Sequence, residues 1–367
     1  LIRRPGHRTS GPPETPLILF GAFDRHNLGD ILLAHVAARE ANPRPVVFAG
    51  LAQRDLTIWG GQRVLAIADL AREWGDTWGN TRADVLHVGG ELLTCDLYQA
   101  AVMLQSETDA RAAIARFDVD PVAGLKWAMA TLGLHQLMAY LVPKSLFRNP
   151  GRFTYRAVGG VSLDRLSEGQ RKEVGARLRE ADAITARDRM TRTWLAEMGI
   201  HADLEPDPAS RIPSLFGETI GRHVGAGEPA QMKATFPAGY IAVQFAAEYG
   251  DDASLAAIAR YLDRMIADTG LGIVLFRAGA APWHDNLDVY QRLAGFMETR
   301  QPRLFHGLNV WDICALLAGA KAYCGTSLHG WILSRAMGVD ILPFPVTPRL
   351  EKQPAYAATW GTTASPS

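Results

Sequence analysis

The chain has 367 residues and a mass of 40.0 kDa, which suits two compact units of about 150–200 residues better than one. Apolar residues at 48% and charged residues at 21% allow a buried core in each half and exclude long-range disorder. Lys plus Arg and Asp plus Glu both number 38, a formal net charge of zero, which argues against a general nucleic-acid binder and leaves room for a local basic pocket for one small anion.

Residues 1–16 read as a polar, Pro-rich leader without a signal-peptide pattern. Pro16–Phe20 is an apolar run ending in Gly21, a buried strand, and Asp30–Glu40 follows with helical spacing at Ile31, Leu32, Leu33 and Val36. Pro45–Gly50 and Asp84–Gly90 repeat the pattern of a strand leaving through glycine, and Val64–Glu73 reads as a strand leading into a helix. Strands alternating with helices predict a parallel sheet covered by helices. Residues 97–147 interrupt the rhythm with a mostly helical insertion. Within it, Trp127–Val142 is uncharged but too short to span a membrane. It reads as a buried core helix rather than a membrane-resting face. Tyr155–Gly160, a helix over Ser167–Glu180, the strand Ala183–Ala186 and a helix over Met190–Met198 complete the first series.

Residues 212–239 are rich in Gly and Pro without periodicity and read as a linker. A second series begins with the strand Tyr240–Phe245, followed by a helix over Leu255–Thr269, the strand Gly272–Phe276, helices over Val289–Phe296 and Val310–Ala318, the strand Ala320–Cys324 and a helix over Trp331–Met337. The expected architecture is α/β: an N-terminal doubly wound domain over 17–211, the linker 212–239 and a C-terminal domain over 240–367, facing a cleft. Ligands in such folds sit outside the carboxyl ends of the strands, so the strand-exit loops are the places to look. Cys95, Cys314 and Cys324 follow no metal or disulfide spacing, which points to a reduced, cytoplasmic setting.

Four exit loops carry polar groups. In Gly21–Asp30, Asn27 and Asp30 open a helix and serve equally as cap or as site residues, with Gly29 between them permitting close approach. This loop is neither a dinucleotide fingerprint nor a Walker loop. Gly89-Gly90 lets a ligand or the opposite domain near the backbone, or forms a plain strand–helix turn. Arg187-Asp188-Arg189 offers forked hydrogen bonds to phosphate or carboxylate, or a solvent-facing salt cluster. The sharpest signal is Gly325-Thr326-Ser327-Leu328-His329-Gly330, which joins a strand to a helix: backbone N–H groups there attract an anion, and His329 can move a proton near neutral pH. His284 and Asp285 either line the mouth beside Arg277 or are ordinary loop residues, and the second reading is favoured. No metal-ligand cluster is visible, and no metal or other cofactor is expected.

Taken in order, Asn27-Leu28-Gly29-Asp30, Gly89-Gly90, Ala186-Arg187-Asp188, Pro206-Asp207-Pro208-Ala209 and Thr326-Ser327-Leu328-His329-Gly330 resemble the motifs of the polysaccharide pyruvyl transferase family over residues 17–345. The resemblance implies a GT-B-like pair of Rossmann-like domains and transfer of the pyruvyl group of phosphoenolpyruvate to a cell-surface or exopolysaccharide sugar, or its lipid-linked precursor, giving a ketal and phosphate. It implies a cytoplasmic enzyme, with peripheral membrane contact where the acceptor is lipid-linked. Many members carry Arg immediately before the Leu-His pair; Ser327 stands there here. The chemistry asks for cations or N–H donors against the donor, assigned to Arg187, Arg277, Thr326, Ser327, Leu328 and Gly330. It asks for an acid, assigned to His329, and a base, assigned to Asp30. Asn27, Gly29, Gly89, Gly90 and Asp207 are placed at the cleft and acceptor side, and Arg277 at its own strand exit is the substitute for the missing arginine. A nucleotide-sugar glycosyltransferase of the same architecture and a non-catalytic sugar-binding relative are the competing readings.

Overall fold

The computed structural model describes residues 15–299, 302–346 and 352–361, so all but the last two positions of the leader lie outside the described residues. The first sheet has eight strands: β1 Leu17–Phe20, β2 Val46–Gly50, β3 Arg54–Asp55, β4 Arg63–Ala66, β5 Ala83–Gly90, β6 Pro150–Val158, β7 Ala183–Ala186 and β8 Asp203–Leu204, in spatial order β3-β4-β2-β1-β5-β6-β7-β8. All neighbours are parallel except β3 and β4. The second sheet is fully parallel, in order β11-β10-β9-β12-β13, from β9 Tyr240–Gln244, β10 Gly272–Leu275, β11 Arg303–Leu304, β12 Ala322–Gly325 and β13 Asp340–Leu342. In both sheets the strand order reverses beside the central strand, β1 in the first and β9 in the second. The exit loops of those strands therefore open into the crevice where ligands bind in such folds.

The helices in chain order are α1 Leu28–Ala41, α2 Ile67–Trp78, α3 Leu97–Met103, α4 Glu107–Phe117, α5 Pro121–Leu132, α6 Glu168–Arg179, α7 Arg189–Glu197, α8 Ile212–Val224, α9 Gly227–Thr235, α10 Asp252–Thr269, α11 Leu287–Phe296, α12 Val310–Gly319, α13 Leu328–Ala336 and α14 Lys352–Trp360. Three expectations are corrected here. Residues 212–239 are mostly helical, because Pro213 and Pro229 stand in first turns, where proline is tolerated, and Gly217 and Gly221 are carried inside α8. Trp127–Val142 is not one helix: α5 stops at Gly133, which is left-handed at φ 65°, and Met138–Val142 continue as buried non-helical chain. The C-terminal domain does not keep its last helix, since α14 crosses back to the first domain. There the Trp360 indole N–H donates to the Arg187 carbonyl at 2.7 Å, and the Asp207 amide donates to the Tyr356 hydroxyl at 3.1 Å.

The domains meet through an apolar seam. Leu28, Ile31 and Leu32 of α1 share a core with Val310 and Ile313 of α12 and with Leu328 and Ile332 of α13. This explains why the first half of α1 is apolar nearly all round: one side covers its own sheet and the other the partner domain. Each such side chain contributes about 1.5–3 kcal/mol of burial. The seam is registered by backbone pairing, with Leu28 N–H to Ala278 O at 2.7 Å, Ala280 N–H to His26 O at 3.3 Å and an antiparallel bridge between Asn27 and Gly279. His26 adds a polar latch, accepting at Nδ1 from Ala280 N–H at 3.1 Å and donating from Nε2 to Leu308 O at 2.7 Å.

Tyr356→Phe removes the acceptor for a buried Asp207 amide. It is expected to lower unfolding stability by about 1–3 kcal/mol, read as a shift of the urea midpoint at unchanged slope; an unshifted midpoint would show that α14 does not anchor the first domain.

Candidate active site

The crevice holds a cavity of about 740 Å³ lined from both domains, including Asn27, Asp30, Glu91, Arg187, Thr326 and His329. Asn27 caps α1, its side-chain oxygen accepting from Gly29 N–H at 3.1 Å and Asp30 N–H at 3.3 Å. The cap role and the site role therefore coincide, because the capped turn is the one that carries Asp30. Burial in the crevice raises the Asp30 carboxyl above its ordinary value, and the charges of Arg25, His329, Lys352 and Arg187 pull in the opposite direction without cancelling it.

His329 comes from the opposite domain, in the first turn of α13. Its imidazole lies flat on the backbone of Gly29, where a Cβ would overlap Nδ1, Cγ and Cε1. On the ring's other edge Nε2 stands 3.3 Å from Oδ2 of Asp207, and neither atom completes a hydrogen bond. Asp207 is fully buried, which alone would raise its pKa. The His329 and Arg187 charges and the Ala209 amide outweigh burial and hold the carboxyl below its ordinary range. Asp207 is thus an ionised group behind His329, and the expectation that it faces an acceptor is corrected.

Arg187 also differs from expectation. It is buried, bonded to Glu91 and within 3.7 Å of Asp207 and 3.9 Å of Asp188. Gly159 backs its guanidinium so closely that a Cβ there would overlap it. Three carboxylates already offset this charge, so Arg187 ties β5, β7 and the Asp207 turn together rather than offering a free fork. Arg277 lies elsewhere, on a second cavity of about 740 Å³ that adjoins the first.

The helix start keeps part of its expected character. Ser327 caps α13, its hydroxyl accepting from Gly330 N–H at 3.2 Å, while the Thr326 hydroxyl accepts from Ala246 N–H at 3.2 Å. The Thr326 and Ser327 amides donate to Gln244, the first to its backbone oxygen and the second to its side-chain oxygen. The Leu328 and His329 amides take no partner among the described residues, and these are the donors left for an anion. Gly330 is packed against the Tyr323 hydroxyl, where a Cβ would stand at 2.6 Å, and contributes space rather than a ligand contact. Gly89 and Gly90 turn the chain with φ of 38° and 82° and do not line the cavity; a Cβ on Gly90 would come within 2.9 Å of the Asp30 carboxylate.

Besides Arg165, two cations on the cavity went unnominated by sequence reasoning. Arg25 donates to the Tyr140 hydroxyl and stands 3.8 Å from Asp24, whose carboxylate is occupied by the Leu51 and Ala52 amides. Lys352, from α14, lines the cavity with no ion pair among the described residues. The first was visible as an arginine two residues before Asn27; nothing local marks the second. His284 and Asp285 line both cavities, and Asp285 braces its loop, accepting from Ala278 N–H at 2.6 Å, Gly279 N–H at 3.2 Å and the Gln244 side-chain amide at 2.8 Å. Reading them as ordinary loop residues is therefore corrected. Among the described residues no group of three or more His, Cys, Asp or Glu side chains is arranged to hold a metal ion.

A family model for polysaccharide pyruvyl transferase matches residues 27–346. The chain belongs to that family. Among solved structures it is similar to a UDP-N-acetylglucosamine 2-epimerase from Rickettsia bellii, at 9% identity and TM-score 0.53 over 94% of this chain and 87% of that one. It is also similar to a putative enzyme of the same name from Listeria monocytogenes, at 11% identity and TM-score 0.52 over 94% and 82%. These likenesses show the fold, two Rossmann-like domains facing a cleft. No curated protein matches the chain. No described helix is long and apolar enough to cross a membrane.

Gly29→Ala in an isolated helix would be favourable by up to ~1 kcal/mol. Here the methyl group must displace the His329 ring, and pyruvyl-transferase turnover is expected to fall by about 10²-fold, the cost of misplacing a reacting group by roughly 1 Å. A shifted His329 ring signal in the NMR spectrum of the variant would accompany the loss; an unmoved ring with full turnover would contradict the packing described.

Proposed function

We propose that this transferase moves the pyruvyl group of phosphoenolpyruvate onto two hydroxyls of a saccharide, forming a ketal and releasing phosphate. The observation that carries the reading is the seating of His329 between Gly29 of one domain and Asp207, in a cavity that Asp30, Arg25 and Lys352 also line. The donor carries a carboxylate and a phosphate. Arg25, Lys352 and the open amides of Leu328 and His329 supply positive potential for both, each charge-assisted hydrogen bond contributing about 1.5–3 kcal/mol.

With Nε2 facing Asp207, Nδ1 is the nitrogen left for the donor. His329 delivers a proton from Nδ1 to the methylene carbon of phosphoenolpyruvate, which becomes the methyl group. A sugar hydroxyl attacks C2, and Asp30 takes its proton; the raised pKa of that carboxyl makes it a better base than an exposed aspartate while it stays ionised. The bond from C2 to the phosphate oxygen then breaks. The second hydroxyl adds to C2, and its proton leaves with the phosphate. One proton is gained by carbon and two are lost from oxygen, so the phosphate departs carrying one. Asp207 keeps its charge beside Nε2 throughout and positions the ring.

His329→Ala is expected to lower phosphate release from phosphoenolpyruvate by about 10²–10⁴-fold; near-normal release would remove it from the chemistry. Lys352→Met withdraws a positive charge that pulls the Asp30 pKa down. Asp30 must be ionised to act, so the acid limb of the kcat/KM profile should move to higher pH in this variant. A limb that stays in place, or moves to lower pH, would detach Asp30 from that limb.

A further inference from the structure

The second cavity is as large as the first, about 740 Å³, and the two share Arg25, Met103, Trp283, His284 and Asp285 as a common wall. A three-carbon donor and one sugar ring need no more than a single cavity of this size. Trp283 forms the sill between the two. It is 47% exposed, one of few large apolar side chains so placed, and it holds φ 65°, a costly conformation for a bulky residue. The Asp285 carboxylate fixes the start of this loop through the Ala278 and Gly279 amides. A braced backbone that presents an indole face at the junction of two polar cavities offers a stacking surface for an amphipathic ring.

The charges beyond the sill select the ligand. Arg54 is spent on the carbonyls of Gln53 and Leu104, and Arg111 on Glu107. Arg277 lines the cavity without an ion pair among the described residues, and its buried Nε has no partner. Asp288 faces the same space, while Asp55 there is already held by Arg63 and Thr57. Arg277 and the Asp288 carboxylate, neither in an ion pair among the described residues, suit hydroxyl groups, which donate to the carboxylate and accept from the arginine.

We propose that this cavity is the subsite for the sugar residues flanking the one that is ketalised, with Trp283 as the stacking platform and Arg277 as the polar anchor. The acceptor is then an oligosaccharide rather than a monosaccharide. This rests on the pyruvyl-transfer reading for the identity of the neighbouring site, and its test separates the two. The full chain is applied to an array of neutral and uronate-bearing glycans of one to four residues, as wild type, Trp283→Ala and Arg277→Gln, each checked for an unchanged melting profile. Retention is expected to rise with glycan length, and each substitution to lower retention of tri- and tetrasaccharides at least tenfold. Equal retention at all lengths, no retention at any length, indifference to both substitutions, or displacement of glycan by millimolar UDP overturns the subsite. Phosphate release from phosphoenolpyruvate is followed on the retained glycans. Length-dependent retention without phosphate release sinks the pyruvyl reading alone. Phosphate release that is equal on mono- and tetrasaccharides and unmoved by both substitutions sinks the subsite alone.

Discussion

The contact between the His329 imidazole and the Gly29 backbone is the constraint on which the site depends. The ring fills the volume that any side chain at position 29 would need, so a helix of the first domain and a helix of the second must meet to within van der Waals contact at one point. The apolar seam between α1, α12 and α13 supplies the driving force, and the backbone pairs between residues 26–28 and 278–280 set the register. A slip of one residue along that pairing would put Leu28 or Asp30 against the ring. The crevice is therefore a fixed feature of how the domains dock, unlike the polar and movable interfaces common between domains of one chain.

Charge within the crevice is arranged in two layers. The deeper layer is the cluster of Arg187 with Glu91, Asp188 and Asp207, where burial makes an unpaired ion costly and every member has an opposite charge nearby. Its positive charge is consumed in holding the first domain's strand exits together and in keeping Asp207 ionised behind His329. The outer layer is Arg25, Lys352 and the α13 amides, which face open space. On the proposed reading an anionic substrate meets the outer layer, while the deeper one fixes the orientation of the group that meets it. Ser327 stands where the family resemblance leads one to expect arginine, and cations reach the same cavity from the first exit loop and from α14.

Much of this was legible in the sequence, for physical reasons that also mark where legibility stops. Strands that leave through glycine, such as Leu17–Phe20 and Ala83–Gly90, announce themselves because apolar runs and breakers are local signals. Asn27, Asp30 and His329 were found because helix starts at strand exits are where parallel α/β folds expose polar groups. Helices α8 and α9 were missed because proline in a first turn looks like a breaker when its position in the turn is unknown. The role of Arg187 was misread because its partners Glu91 and Asp207 lie on other strand exits, and no local pattern says that they neutralise it. Arg277 was assigned to the donor for being a strand-exit arginine, but the cavity it lines is the second one, while only the following Ala278 and Gly279 line the cavity of His329. The return of α14 to the first domain has no sequence signal at all, and with it Lys352 escaped notice.

The likeness to nucleotide-sugar epimerases shows how far a fold constrains chemistry. Two Rossmann-like domains around a crevice fix where strand exits converge, and at 9–11% identity little else is shared. What the crevice can bind is decided by a handful of positions: whether a helix start presents free amides, which cations remain unpaired, and which side chain fills the gap between domains. In this chain the Thr326 and Ser327 amides are turned inward to Gln244, so the helix start offers fewer donors than its sequence promises. Arg25 borders both cavities, Lys352 the first and Arg277 the second. On the reading proposed above, a small, doubly charged acid binds on one side of the indole and a hydroxyl-rich chain on the other.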